Sequence, residues 1–386
     1  MTDKESVEIL LSRHDPALDM SAFVQLLSNT TNSYKYLFLL ALINRVGQTP
    51  VSQPIKIPLT DMALDMAALA WYPCRYFRLN FGSQDQLPQL LSDIGGDVST
   101  AKHGKEFLRK IRLEIQGKVD VELLASALLR YVPFRLLRPF FAKQLENASD
   151  WQLESLVPEL SRDAQDSLSP ALYALHGRGN QPKNLVLHLH PRWQSTLLHW
   201  HKIVFGWVLH EWAKFLQAKN PAMPNILAKL LPPDQRASTQ FRYFKKFWAN
   251  LLEQKSLPCP YTNERLKSDM FALDHFLPWS YVGHDLPWNL VPTIPMVNSS
   301  KGSKLPSEKY VDALAALHHR ALTYSHKSMT EKKWSIITEA YCQDLRLDTR
   351  GLLSHDSLCH AYQQTMIPQI SLGKQLGFEA GWSIEP

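Results

Sequence analysis

Asp274 and His275 stand side by side within the stretch Cys259 to Lys304. Asn289 follows His275 by fourteen residues, Asn298 comes nine later, and Lys301 three beyond that. These residue types suit work on a phosphodiester, which needs a water made nucleophilic and a cation to take the charge building on the leaving oxygen. A neutral histidine fits the first task because its unperturbed pKa lies near working pH. Aspartate and asparagine oxygens fit the second, since hard donors hold Mg²⁺ or Mn²⁺ and leave positions for water and phosphate. Taken singly, each residue has a plainer reading. In a chain with 15 histidines an Asp-His pair can be a loop cap or a surface pair, Asn289 a turn residue and Asn298 a helix cap. The ordered set, in a proline-bracketed pattern, favours the chemical reading.

The segments FALDHFLP and WNLVPTIPM are short apolar runs bounded by Pro and Gly, as the arms of a hairpin would be. Neighbouring residues on a strand face opposite ways, so a bend or bulge is expected at Asp274 and His275. After Asn298 the chain turns helical through SSKGSKLPSEKYVDALAALHHRAL, with Ser307 as cap and Pro306 before it. A hairpin followed by a helix would bring Asn298 beside Asp274 around one ion.

Together these residues resemble an HNH nuclease site, the ββα-metal fold, in the variant whose last histidine is an asparagine. Their spacing is similar to that of the HNH domain in RNA-guided CRISPR nucleases, and the likeness spans about 45 of the 386 residues. The resemblance implies that Asp274 and Asn298 ligate one divalent metal, Mg²⁺ or Mn²⁺, and that His275 is the general base. It implies that Asn289 holds the loop and orients His275 through its backbone, and that Lys301 contacts a phosphate. DNA is the implied substrate, with 5′-phosphate and 3′-hydroxyl products and one strand nicked per site. Many HNH proteins carry two CxxC pairs around a structural zinc. Here Cys259 opens such a pair but Thr262 takes the second position, and Cys74, Cys342 and Cys359 lie far off, so no structural zinc is expected.

A chain of 386 residues with 45% hydrophobic content has room for two or three domains and is not dominated by disorder. Its net charge of +6 is compatible with a nucleic-acid partner without demanding one. Four scattered cysteines, no secretory h-region in MTDKESVEIL and no apolar run longer than Leu37 to Ile43 point to a cytoplasmic protein without a membrane span.

Residues 1 to about 150 read as helical. Asn32 and Ser33 cap YKYLFLLALINRVG, whose Tyr34, Tyr36 and Phe38 suit a buried helix better than a binding face. This region also resembles the N-terminal part of long prokaryotic HNH proteins, phage-defence effectors among them. The basic stretch 102–118, with Lys102, Arg109 and Arg112, reads either as a solvated side or as a phosphate-contacting face. RYVPFRLLRPFF, with Arg130, Arg135 and Arg138, reads as a nucleic-acid groove or a buried connector. From His188 to His210 five histidines accompany a long aromatic core helix. ASTQFRYFKKFWANLLEQK, just upstream of the hairpin and preceded by Arg236, interleaves Arg242, Lys245 and Lys246 with aromatics. It is the expected DNA-backbone helix, joined by Lys304 after the site. The tail ISLGKQLGFEAGWSIEP reads as loosely packed.

The expected fold is mainly α, with helical N- and C-terminal regions around a small ββα-metal module. Its expected divisions are 1–175, 176–254, 255–325 and 326–386. The expected function is metal-dependent endonucleolytic cleavage of DNA in prokaryotic defence or restriction, with protein partners of a defence system. Two alternatives stand beside it: a non-catalytic nucleic-acid-binding subunit of a defence complex, and an RNA-cleaving, toxin-like nuclease on the same fold.

Overall fold

A computed structural model describes residues 3–94, 104–232 and 238–384. Lys102 and Arg236, both named above among the basic residues, lie outside these. Among the described residues the fold is mainly helical, with two small antiparallel sheets. It divides into two compact units, one built from residues up to 221 with 226–234, the other from 222–225 and the chain from 235 onward.

The first unit is organised on two almost fully buried helices. Tyr34–Val46 and Leu59–Trp71 carry apolar residues around nearly their whole circumference, the pattern of helices with neighbours on all sides. Tyr34, Tyr36 and Phe38 are core residues. The Asn32 side chain accepts from the Tyr34 amide at 3.2 Å and Gly47 ends the helix. The all-helical expectation for this region needs one correction. Strands β1 (Lys56–Pro58), β2 (Tyr173–Gly177) and β3 (Leu185–Leu189) form an antiparallel sheet in the order β1-β3-β2. Three residues are too few for β1 to show an alternating pattern. The histidine-rich region forms two helices, Pro191–His199 and His201–Lys219, separated at Trp200. In the basic stretch the helix Lys105–Lys118 buries Phe107, Ile111 and Ile115, while Arg112 is held by Asp61 and Asp65 at 2.6 and 2.8 Å. Arg130 and Arg135 lie over the Tyr131 ring.

The second unit contains β4 (Ala272–His275) paired with β5 (Leu290–Thr293), followed directly by the helix Pro295–Lys301. Around this ββα core stand the helices Thr239–Gln254, Val311–Ser328, Glu331–Asp344 and His355–Gln375. Two of the expected divisions fall inside regular elements. Residue 175 lies inside β2, and 325 inside Val311–Ser328. Residues 150–182 hold the amphipathic helix Asp150–Asp163, β2 and the turns around it.

The C-terminal tail is also packed, contrary to its glycine-rich look. Its first residues complete the helix His355–Gln375, and Phe378 and Trp382 are buried. Backbone hydrogen bonds tie Leu305 to Glu379 and Trp382, and Ser307 to Trp382. Gly373 permits this approach, since a Cβ there would meet Leu305 Cδ1 at 2.8 Å.

Candidate active site

The site lies where β4, β5 and the helix Pro295–Lys301 meet. Antiparallel pairing sets Asp274 opposite Val291 and His275 opposite Leu290, one residue to one, so the bulge expected at the Asp-His pair is not there. The regular pleat instead sends the two side chains to different faces. Asp274, 5% exposed, points inward, where one carboxylate oxygen accepts from the Tyr261 hydroxyl at 2.8 Å. Burial, with the Asp274 charge beside it, drives the Tyr261 hydroxyl well above its ordinary pKa, so it stays protonated as a donor. Tyr261 is packed by Tyr310 and Trp382, which anchors this face to the C-terminal tail.

Lys301 is placed differently from the expectation. It is fully buried at the end of the site helix, its ammonium 3.1 Å from the Asp274 carboxylate and 2.6 Å from the His275 carbonyl oxygen. A phosphate contact needs a solvent-facing cation, and this one is spent internally. The physical reason is local. The helix packs against β4 and ends at Gly302, with φ +52°, so the last side chain before the turn is directed under the strand. Asn298 lies one helical turn earlier, half-buried, on the face that carries Lys301 to Asp274.

Asn289 is fully buried, and its amide grips both backbone groups of Leu277: Nδ2 donates to the carbonyl at 2.9 Å and Oδ1 accepts from the N–H at 2.8 Å. Its own carbonyl accepts from Phe276 N–H. The chain leaving His275 is thereby held for two residues. Trp288, beside Asn289, donates to Asp344 and its carbonyl accepts from Tyr362, linking this turn to the C-terminal helices.

On the other face, His275 Nε2 is 2.7 Å from an Asp285 carboxylate oxygen, with both side chains largely withdrawn from solvent. The Phe241 ring stacks on the imidazole at 5.5 Å. Asp285 also accepts from the Ser238 hydroxyl, the N-cap of Thr239–Gln254. Burial works to raise the Asp285 carboxyl, but the hydrogen bonds from His275 and Ser238 outweigh it and hold the group below its usual value. Burial also depresses the neighbouring His284 to about 4. Neither Asp285 nor Ser238 stands out in the sequence motif. A signal was there: Asp285 is the only carboxylate between Asp274 and Glu308.

Arg242, Lys245 and Lys246 are exposed on the helix that begins at Ser238, whose Phe244, Trp248 and Leu251 face inward. Lys304 is engaged with Glu379 at 3.2 Å. The Cys259 sulfur is within 3.2 Å of the Thr293 hydroxyl. Among the described residues no three His, Cys, Asp or Glu side chains are gathered to hold a metal. Of the two residues expected to hold a metal, Asp274 has one oxygen on the Tyr261 hydroxyl and the other on the Lys301 ammonium, and Asn298 is half-buried one helical turn before Lys301. The Lys301 ammonium on Asp274 marks that carboxylate as a place where positive charge is favourable.

Residues 259–307 match the family model described as HNH endonuclease. No curated protein and no solved structure matches the chain. The matched segment begins at Cys259 and runs to the Ser307 cap, so it contains the whole ββα unit. It supports a nuclease, of a kind that generally uses a divalent metal. Among the described residues no helix is long and apolar enough to cross a membrane.

Proposed function

We propose that the chain is a metal-dependent endonuclease that hydrolyses DNA phosphodiester bonds at the β4–β5 hairpin, nicking one strand per visit. The observation that carries this is a histidine, fixed at the end of β4 next to a buried carboxylate, inside the segment matching the HNH endonuclease family. His275 is the general base. It takes a proton from water, the hydroxide oxygen bonds to phosphorus, and the P–O3′ bond breaks, the leaving oxygen taking a proton from solvent, to give 5′-phosphate and 3′-hydroxyl ends. Asp274 and Asn298 would hold the divalent ion, Mg²⁺ or Mn²⁺. When bound, that ion supplies positive charge for the phosphate and the leaving oxygen. Asn289 holds the loop that fixes His275, and Lys301 orients the Asp274 carboxylate and braces the His275 carbonyl. A role in prokaryotic anti-phage defence or restriction, with partner proteins, accords with the resemblance of the N-terminal region to long HNH proteins.

Arg242, Lys245 and Lys246 hold the DNA backbone along the helix that starts at the site. The triple variant Arg242→Gln/Lys245→Gln/Lys246→Gln is expected to bind duplex DNA more weakly at every sequence. The slope of log affinity against log salt should become shallower by about 0.9 for each phosphate that is no longer neutralised. An unchanged slope in a salt titration would remove this helix from the interface.

End-labelled DNA and RNA of the same sequence, offered side by side with Mg²⁺, Mn²⁺ or EDTA, test the substrate. Metal-dependent cutting of DNA is expected. Cutting of RNA alone would give the site to the toxin-like reading.

A further inference from the structure

Two arrangements meet at His275 that the spacing of the sequence motif does not contain. The imidazole is tied to a carboxylate ten residues later, and that carboxylate is tied to the first turn of the basic helix. We propose that Asp285 is the positioning residue of His275, fixing its tautomer and ring plane, and that Ser238 in turn fixes Asp285. The proposal rests on the reading of His275 as the base.

An ionised carboxylate only accepts, so at 2.7 Å the His275 Nε2 must carry the proton and donate it to Asp285. That leaves Nδ1 as the lone-pair nitrogen, and Nδ1 has no hydrogen-bond partner among the described residues. It is therefore the atom placed to accept a proton from water. Phe241 stacked on the ring restricts its rotation, while the Asp285 bond sets its angle. When Nδ1 takes the proton, the imidazolium finds a negative charge already at Nε2, the arrangement by which a carboxylate assists a histidine base without being protonated itself.

Ser238 makes the carboxylate directional. Its oxygen accepts from the Phe241 backbone N–H at 2.9 Å as the helix cap, so its own proton is free to be given to the second Asp285 oxygen. The same turn of helix thus supplies the cap, the carboxylate's donor and the ring that stacks on the base. Arg242, Lys245 and Lys246 follow directly on the same helix.

Asp285→Asn tests this because it keeps the volume and changes the hydrogen-bond sense. Ser238 continues to donate to the remaining oxygen, which turns the amide NH₂ towards His275. Nε2 must then accept, and the proton moves to Nδ1, where no proton can be taken up. Single-turnover cleavage of duplex DNA is expected to fall about 10²- to 10⁴-fold in Asp285→Asn, with DNA affinity and melting temperature close to wild type. In the His275→Ala background the same substitution is expected to change nothing further, since its effect passes through His275; independent losses in the double variant would overturn the proposal. The second arm needs no cleavage. In ¹⁵N spectra of histidine-labelled protein, His275 is expected as the Nε2–H tautomer in wild type and as a shifted population in Asp285→Asn. An identical tautomer in both proteins would contradict the proposal even if neither cuts DNA. If wild type cuts, His275→Ala does not, and Asp285→Asn cuts at the full rate, the proposal fails while the nuclease reading stands. If wild type cuts nothing, the nuclease reading fails and the tautomer still decides the role of Asp285.

Discussion

Replacing His275 with alanine is expected to lower the rate of strand cleavage by about 10²- to 10⁴-fold, the contribution of a positioned proton acceptor. The fold should survive. His275 is the last residue of β4, and 17% of its side chain remains exposed. Its backbone bonds do not depend on the side chain, because Lys301 contacts its carbonyl and Asn289 holds the residues that follow. The Asp285 carboxylate loses one donor but keeps Ser238. DNA affinity should change little, since the exposed cations sit on another helix. Single-turnover kinetics with saturating protein, a binding isotherm and a melting curve on the same preparation check all three statements. Full activity in His275→Ala would remove the base from the account.

The second large effect is on stability. Lys301→Met is expected to destabilise the second unit by about 3–5 kcal/mol, because it strips the counter-charge from a buried carboxylate. For a unit of this size that is a fall in melting temperature of roughly 10 °C. Lys301 is fully buried and Asp274 is 5% exposed, so water cannot substitute for the lost ammonium without opening the site. The Tyr261 hydroxyl remains on Asp274 but carries no charge. The double variant Asp274→Asn/Lys301→Met should recover most of the loss, since no ion is then left buried alone. Calorimetry on wild type, single and double variants decides the matter. If Lys301→Met melted with wild type and only bound DNA less tightly, Lys301 would be a phosphate contact after all.

These two residues also mark how far the sequence could be read. The hairpin was legible: Pro and Gly bracket two short apolar runs, and they pair as β4 and β5. So was the burial of YKYLFLLALINRV, which has no polar side to turn outward. A helix after the hairpin was expected too, but from Asn298 onward; its start at Pro295 was not, because PMVNSSK joins proline, a β-branched residue and three cap-forming residues, and tertiary packing rather than propensity makes it helical. The burial of Lys301 could not be seen either. A lysine in a Ser-, Gly- and Lys-rich stretch reads as solvated, and only the close fit of the helix end under β4 turns it inward. Asp285 was hidden in a Gly-His-Asp turn, where aspartate is ordinary, and its pairing with Ser238 spans 47 residues. Its being the sole carboxylate between Asp274 and Glu308 was the one local signal, and that does not name its partner.

The most direct test of the central claim is a supercoiled plasmid incubated with wild-type protein or His275→Ala, in Mg²⁺, Mn²⁺ or EDTA. Open circles produced by wild type with metal, and by neither protein in EDTA, nor by the variant under any condition, are the result predicted. Open circles formed equally by His275→Ala, or by wild type in EDTA, would contradict a metal-dependent nuclease that uses His275 as its base.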